Sequence, residues 1–255
     1  MYLEQLLQKY KARNISTYRS ELASLKSILS KWAGTCGMEL KSSGSYAKGT
    51  AISLASDVDI LVSLSADCNT MKGLKSIYDT LYKTLKPHYH DIRKQNVSFR
   101  ISLGDLEVDV TPARKQPGSS HYHWIYVSKK DTWQQTNIQK HILDISQSGR
   151  TDVIKVIKIW RERSSLDFPS IYLEYLIVNI ILSNKALDKS KLNDHVLFVL
   201  QHLARDTNNP LNSRLVDPAN SANILSDLLS TVEKDKIVLA AKTALRQTNW
   251  NQIVW

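Results

Sequence analysis

Hydrophobic side chains recur every three or four positions through the N-terminal region, which is the spacing of an amphipathic helix. The positions are Leu3, Leu6, Leu7, Tyr10, Tyr18, Leu22, Leu25, Leu29 and Trp32. This pattern predicts one continuous helix over residues 2–32. At a rise of 1.5 Å per residue the helix would be roughly 45 Å long, enough to pack against two lobes.

The next part of the chain alternates short apolar runs with turn residues, which is typical of strands. The elements predicted here are strands at 57–64, 97–103 and 106–110, and a helix at 70–86. Pro112 and the pair Pro117-Gly118 are expected to end the pattern, because proline has no backbone N–H and Pro-Gly favours a turn.

From about residue 130 onward only helical spacing remains and no strand is expected. The predicted helices cover 137–145, 150–163, 170–184, 191–204 and 221–246. The fold class is therefore predicted to be α/β (α+β), with a small mixed sheet and the long N-terminal helix in residues 1–130 and an all-helical lobe in residues 131–255.

Composition limits the kinds of partner. The chain has 255 residues, 42% of them hydrophobic, so a sizeable core is expected. The formal net charge of +10 favours polyanionic partners such as nucleotides or nucleic acid, although a basic protein without such a partner is equally compatible with it.

The two cysteines and the apolar segments bear on location. Cys36 and Cys68 are far apart in sequence and lie in no Cys/His cluster, so neither a zinc site nor a disulfide framework is expected. A reducing cytoplasm is the predicted compartment. No apolar stretch reaches the roughly 18 residues of a membrane span, and the first residues lack the pattern of a signal peptide.

The strongest indication of chemistry is Asp57-Val58-Asp59, at the head of an apolar strand. Residues i and i+2 of a strand point to the same face, so the two carboxylates are expected side by side. Adjacent carboxylates need a cation to offset their repulsion, and hard oxygen ligands suit Mg²⁺ or Mn²⁺. The structural alternative is that both acids cap a turn.

A third carboxylate would complete a two-metal site. Asp109 provides it if its strand lies beside that of Asp57 and Asp59; Glu107 is the alternative ligand, and a surface position for Asp109 is also open. With two Mg²⁺ ions, one activates an attacking hydroxyl and the other neutralises the triphosphate and leaving pyrophosphate. Gly44 and Ser45 fit a phosphate cradle, because glycine permits close backbone approach and both supply donors.

These motifs resemble a known superfamily. Gly44-Ser45, eleven intervening residues, Asp57-x-Asp59 and a later Asp109 resemble the signature of polymerase-β-like nucleotidyltransferases. The extended run Gly-Ser-Tyr-Ala-Lys-Gly-Thr-Ala-Ile, then Ser-Asp-Val-Asp-Ile, is similar to the branch of bacterial cyclic-oligonucleotide synthases (CD-NTases), animal oligoadenylate synthetases and cyclic GMP-AMP synthases, and archaeal CCA-adding enzymes. Residues 153–174 and 216–223 resemble later motifs of that branch.

The resemblance implies a bilobed fold whose helical lobe closes over a nucleotide, and transfer of a nucleotidyl group from an NTP to a hydroxyl. It implies that Asp57, Asp59 and Asp109 are catalytic and hold two Mg²⁺ or Mn²⁺ ions. The nucleotide-binding residues that it implies are Gly44, Ser45, Lys48, Lys158, Ser170 and Tyr172.

Several of these residues also have structural interpretations. Lys48 and Lys158 are equally compatible with exposed positions, and Ser170 with a helix cap after Pro169. The resemblance places Asp217 on the C-terminal side of the cleft, although a structural turn explains its sequence context as well.

The acceptor is left open by the sequence. A synthase of cyclic or linear oligonucleotide messengers in antiviral defence is favoured by the extended motif. An RNA or tRNA 3′-terminal transferase is favoured by the charge, but its archaeal relatives carry additional domains for which this chain is short. A toxin-type nucleotidyltransferase, or a nucleotide- or RNA-binding relative without catalysis, are further alternatives.

Overall fold

The computed structural model describes residues 2–55, 57–68, 73–119 and 121–255. Its strands are β1 (Met38–Ser43), β2 (Val58–Leu64), β3 (Arg93–Lys94), β4 (Phe99–Leu103), β5 (Leu106–Lys115), β6 (His123–Val127), β7 (Thr132–Thr136), β8 (Val216–Asp217) and β9 (Asn220–Ile224). Its α-helices are α1 (Tyr2–Lys9), α2 (Arg19–Ala33), α3 (Gly44–Lys48), α4 (Leu74–Leu85), α5 (Ile138–Ser146), α6 (Thr151–Arg163), α7 (Ser170–Tyr175), α8 (Leu192–Leu203), α9 (Thr231–Leu245) and α10 (Trp250–Ile253).

The chain divides into two compact units. The sheet unit comprises Asn14–Ala47 and Asp57–Ile142, and the helical unit comprises Met1–Arg13, Lys48–Ser56 and Leu143–Trp255. The predicted division at residue 130 differs from this one. The chain crosses between the units several times near its N-terminus, so α1 belongs with the C-terminal helices and β7 with the sheet.

The sheet unit is built on a mixed sheet, which confirms the predicted fold class. Its strand order is β1-β2-β5-β4-β3, and β6 joins the far end of β5 and pairs with β7. β2 and β5 run parallel, whereas the other neighbouring strands are antiparallel. The pair of parallel strands brings the two acidic motifs of the sequence next to each other.

One face of this sheet is apolar, because alternate residues of β2, β4 and β5 are large and hydrophobic. The buried side chains of this core, which come from α2, α4 and the strands, include Leu25, Leu29, Val58, Val62, Tyr78, Leu81, Phe99, Val108 and Val110. The acidic residues of β2 and β5 alternate with these positions and therefore occupy the opposite face.

The predicted single N-terminal helix is wrong. α1 ends at Lys9, Lys11 forms an isolated β-bridge with Ile52, and a 3₁₀ turn over Ile15–Tyr18 precedes α2. The side chain of Asn14 accepts a hydrogen bond from the Ser16 amide at 3.1 Å, which starts a new helical segment. The apolar spacing is retained on both sides of this break, so periodicity alone does not detect it.

Two further predictions in the sheet unit are corrected. Pro112 does not end β5. On one side of β5 the pairing with β4 ends at Val110 and the pairing with β6 begins at Ala113, and Pro112 lies between these two residues, where no backbone N–H is needed. β6 and β7 were not predicted; β7 is polar and half-exposed, so it lacks the alternation that marks a strand. Residues 70–72 of the helix predicted at 70–86 lie outside the described part of the chain.

The helical unit follows the predictions for α6 and α8 closely. The helix predicted at 170–184 is α7 continued by π-helical residues Leu176–Ile181, and the segment 221–246 is β9, a 3₁₀ turn and α9. Its core includes Ile154, Ile157, Trp160, Tyr172, Leu173, Leu200 and Ile237. Among the described residues, no helix combines the length and apolarity needed to cross a bilayer.

The two cysteines form a disulfide, which corrects the expectation of isolated thiols. Cys36 precedes β1 and Cys68 follows β2; the antiparallel pairing of these strands brings their Cα atoms to 4.9 Å. Both residues are buried beside Leu64 and Ile77. The cysteines therefore give no argument for a reducing compartment.

We expect Cys36→Ser to lower the free energy of unfolding of the sheet unit by about 3–4 kcal/mol. The disulfide links residues 32 positions apart and thereby restricts the unfolded chain. Thermal unfolding with and without a phosphine reductant measures the effect. Reduction of the wild-type chain should reproduce the loss and leave the Cys36→Ser protein unchanged. Equal stability of the oxidised and reduced wild type would contradict the prediction.

Candidate active site

Three aspartates lie on the polar face of the sheet. Asp59 on β2 is directly opposite Asp109 on β5 in the parallel register, and Asp57 immediately precedes β2. The adjacency of the two strands, on which the predicted triad depends, is therefore confirmed. Val58 and Val108 point to the apolar core, which fixes the acids on the other face.

A guanidinium lies between two of these carboxylates. Arg100 on β4 is opposite Asp109, and its Nε and Nη2 donate to Asp109 Oδ1 and Oδ2 at 2.9 and 2.8 Å. The same Nη2 also donates to Asp57 Oδ2. Arg100 thus binds Asp109 through two hydrogen bonds and Asp57 through one. Bidentate pairing of an arginine with a carboxylate is a strong form of charge-assisted hydrogen bonding.

Glu107 completes a charged network around Arg100. Its Oε2 accepts from Arg100 Nη1 at 3.0 Å, and its Oε1 accepts from Arg93 on β3. Gln95 Nε2 donates to Asp109 Oδ1 at 3.2 Å. Asp109 is the most buried of these acids, with 11% of its side chain exposed against 37% for Glu107, so Asp109 is the better enclosed candidate ligand.

The electrostatics of the site favour a cation. Burial raises the pKa of Asp57, Arg100 opposes this rise, and the negative charges of Asp109 and Glu107 add to it. The hydrogen bonds and charge of Asp109 in turn raise the pKa of Arg100 above its ordinary value. Among the residues that the structure describes, no three His, Cys, Asp or Glu side chains are arranged as metal ligands; Arg100 stands between Asp57 and Asp109.

Gly44 lies against Asp59 because Ser43, the last residue of β1, pairs with Asp59 in the antiparallel register. A Cβ atom at Gly44 would fall 1.6 Å from Asp59 Oδ2, and Gly44 has φ +62°. Only glycine meets both conditions without strain. Ser45 follows in the first turn of α3, half-buried, and its contact with phosphate stays a prediction.

We expect Gly44→Ala to displace the Asp59 carboxylate and lower the rate of catalysis at this site by about 10²-fold. A misplacement of about 1 Å in an active site has an effect of this size. Gly118→Ala is the matched control: it also has positive φ (+71°) but nothing within 4 Å of its Cβ position. Both variants should lose about 1 kcal/mol of stability through backbone strain, and Gly44→Ala should lose more because its Cβ also meets Asp59. Full activity of Gly44→Ala, or an equal loss in Gly118→Ala, would contradict the role of this contact.

The two candidate phosphate lysines lie in the helical unit, around one buried acid. Lys48 Nζ is 2.5 Å from Glu174 Oε2, and Lys158 Nζ is 2.6 Å from Glu174 Oε1. Thr50 Oγ1 donates to Glu174 Oε1 at 2.7 Å and accepts from Lys158 Nζ at 3.0 Å. We call this set the Glu174 cluster; neither lysine has the exposed position that the sequence left open.

Burial by itself would raise the pKa of Glu174, but the charges and hydrogen bonds of Lys158 and Lys48 outweigh it and lower that pKa to about 2. Burial acts on Lys158 in the direction of a lower pKa, against the attraction of Glu174. Three donors converge on the two oxygens of Glu174, so the ionised carboxylate is the stable form. The contact of either lysine with a nucleotide stays a prediction.

The remaining predicted residues have structural partners. Ser170 does not cap a helix; its Oγ accepts from Arg161 Nη1 at 3.0 Å, and α7 has no side-chain N-cap. Tyr172 is fully buried and donates to the Leu211 carbonyl at 3.0 Å. Their contacts with nucleotide stay predictions.

Asp217 supports the turn interpretation. It is buried and accepts from the Ala219 amide at 2.8 Å and from Asn223 Nδ2 at 3.0 Å, between β8 and β9. These bonds hold the turn that joins the two short strands.

Arg100 and Glu174 were not singled out from the sequence. Arg100 sits in an alternating strand, where its parity places it on the polar face, but its partner on β5 depends on the register of the turn at Gly104. Glu174 is the last residue of the motif at residues 153–174, for which the resemblance implied no role. An acid within the apolar run around Leu173 and Tyr175 is the signal that could have identified it as a buried ion-pair partner.

A mixed sheet with Asp59 opposite Asp109, and a glycine turn against Asp59, defines a protein of the polymerase-β-like nucleotidyltransferase class. The family model described as the Second Messenger Oligonucleotide or Dinucleotide Synthetase domain (SMODS) matches residues 1–148, more than half of the chain. The chain therefore belongs to this family.

Individual relatives agree with this assignment. The chain is 23% identical over 235 residues to the cyclic AMP-AMP-AMP synthase of Escherichia coli (strain MS 115-1), covering 83% of this chain and 71% of that protein. The fold is similar to that of E. coli MS115-1 CdnC in its HORMA-deltaN complex (TM-score 0.69, 20% identity, 95% and 88% covered). It is also similar to Elizabethkingia meningoseptica CdnE cyclic dinucleotide synthase with GTP and Apcpp (TM-score 0.69, 13% identity, 95% and 97% covered).

Proposed function

We propose that this protein is a template-independent synthase that joins NTPs into cyclic or linear oligonucleotides and releases pyrophosphate. The observation that carries the proposal is the register of Asp59 opposite Asp109 beside Gly44, in a chain of the SMODS family. In this role the product would be a second messenger in antiviral defence.

The acidic face fits a divalent cation. The guanidinium of Arg100 between Asp57 and Asp109 supports this proposal, because these carboxylates already face a positive charge and their oxygens are hard ligands. Asp57, Asp59 and Asp109 would hold Mg²⁺ or Mn²⁺. Bound there, the metal would neutralise phosphate charge and favour the ionised form of the acceptor hydroxyl.

The chain's own residues would act by positioning. β2 and β5 hold the acids on a rigid sheet, so the carboxylates need little reorganisation before the reaction. Gly44 leaves the space that the Asp59 carboxylate occupies, and Ser45, the next residue, would offer a hydroxyl donor to a phosphate group. No nucleophile from the protein is required, because the acceptor hydroxyl attacks the nucleotide.

The experiment that tests this function is incubation of the purified chain with labelled ATP, CTP, GTP and UTP and Mg²⁺ or Mn²⁺, with and without total RNA. We expect a small product that resists phosphatase and forms without RNA. The Asp59→Asn protein is the control and should form none. Label confined to added RNA would replace this function by RNA-terminal transfer, and no incorporation in any condition would contradict nucleotidyl transfer.

A further inference from the structure

We infer that the guanidinium of Arg100 lies where a divalent cation would bind, and that Arg100 leaves Asp57 and Asp109 when the metal binds. Arg100 is then a positioning residue that competes with the metal for the same carboxylates. This inference rests on the proposed function, because it needs Asp57 and Asp109 to be metal ligands.

The contacts of Arg100 make the two states exclusive. Both oxygens of Asp109 accept from Arg100, at 2.9 and 2.8 Å, and Asp57 Oδ2 shares the Nη2 donor. A cation held by both carboxylates would lie next to the guanidinium. Two positive charges a few ångströms apart repel strongly in a partly buried site, so Arg100 cannot keep this position.

Glu107 offers Arg100 a second position. Glu107 Oε2 is already 3.0 Å from Arg100 Nη1, on the same strand as Asp109. About a quarter of the Arg100 side chain is exposed, so the side chain is not enclosed by the core. We therefore expect Arg100 to keep its contact with Glu107 after it leaves the aspartates, which retains a positive charge beside the site.

The test is a Mn²⁺ titration of the full-length chain without nucleotide, followed by electron paramagnetic resonance of free Mn²⁺. We expect Arg100→Gln to bind Mn²⁺ at least about tenfold more tightly than wild type, because a competing charge is removed. Arg93→Gln is the matched control: it removes a charge that contacts Glu107 but neither aspartate, and should change the affinity by about twofold or less. A purely structural role for Arg100 would not tighten metal binding.

The outcomes separate the inference from the proposed function. Loss of Mn²⁺ binding in Asp109→Asn establishes that the titration reports on this site. If wild type binds through Asp109 and Arg100→Gln matches Arg93→Gln, the inference is overturned and the metal site stands. If no variant binds Mn²⁺, the inference falls as well, and the NTP assay decides the proposed function independently.

Two further variants keep the test decisive if Arg100→Gln does not fold. Arg100→Lys retains the charge but lacks the planar fork, so we expect an intermediate gain in Mn²⁺ affinity. Glu107→Gln should weaken Mn²⁺ binding in the wild-type chain, where Arg100 needs its second partner, and should weaken it less in the Arg100→Lys chain, where the competition is weaker. Equal weakening in both backgrounds would make Glu107 a metal ligand and overturn the movement of Arg100.

Discussion

Asp59→Asn is expected to abolish nucleotidyl transfer while the protein remains folded, and Asp109→Asn is expected to do the same. Each substitution removes a charge from a pair that faces across β2 and β5 and that would hold the metal. The metal contributes several kcal/mol of transition-state charge stabilisation, so a loss of about 10³-fold or more in rate is expected for each. Product formation from labelled NTPs measures the effect.

The control is Asp235→Asn, which changes an exposed carboxylate on α9 and should leave the rate unchanged. The double variant Asp59→Asn/Asp109→Asn should be no slower than either single one, because both acids act on the same bound metal and such effects are not additive. Retention of more than about a tenth of the wild-type rate by Asp59→Asn would exclude a catalytic role for this carboxylate.

The acidic pair is the part of the site that the sequence predicts well. The i, i+2 spacing of Asp57 and Asp59 fixes their common face from local geometry alone. Placing Asp109 opposite Asp59 needs the adjacency of two strands that are far apart in sequence, which the sequence analysis could state only as a condition. The parallel register of β2 and β5 now supplies that step.

The contact of Arg100 with Asp109 and the disulfide between the two cysteines could not be predicted from the sequence, for a related reason. Both depend on strand pairing: Arg100 meets Asp109 through the β4–β5 hairpin, and Cys36 meets Cys68 through β1 and β2. Spacing in the sequence does not reveal such pairings, because register is set by tertiary packing. The motif of Gly44, Ser45 and the three aspartates also contains no arginine, so it gave no reason to examine Arg100.

The fold was predicted best where one face of an element is strongly apolar. α4 and α8 were found close to their observed positions because each buries an apolar stripe, and α6 because apolar residues recur along most of its length. β7 and β9 were missed because they are polar and lie at sheet edges, where few side chains are buried. For these strands the backbone hydrogen bonds, rather than the side-chain pattern, determine the structure.

The second large effect is expected in the helical unit, where Glu174→Ala should destabilise the protein by about 3–5 kcal/mol. Removing one partner of a buried ion pair leaves an uncompensated charge. Here the substitution would leave two buried ammonium groups, those of Lys48 and Lys158, without their carboxylate partner. Urea unfolding at neutral pH measures the change. Glu162→Ala, which breaks the more exposed pair with Arg161, is the matched control and should cost about 1 kcal/mol or less.

Lys158→Ala should cost less than Glu174→Ala, because Glu174 then keeps its bonds to Lys48 and Thr50. This order of effects distinguishes an ion-pair cluster from simple loss of packing, which would penalise removal of the longer lysine side chain at least as much. The reverse order would show that packing dominates at this position.

The pH dependence of this cluster has a definite sign. The pKa of Glu174 is lowered from its ordinary value of 4.5 to about 2 in the folded chain. Below 4.5 the unfolded chain takes up a proton that the folded chain does not, so the stability contributed by Glu174 is complete above that pH and falls progressively toward pH 2. The difference in unfolding free energy between wild type and Glu174→Gln should therefore shrink as the pH falls from 4.5 to 2. A difference that stays constant over this range would mean that Glu174 is not ionised in the folded protein, and the cluster would then hold a neutral acid between its two lysines.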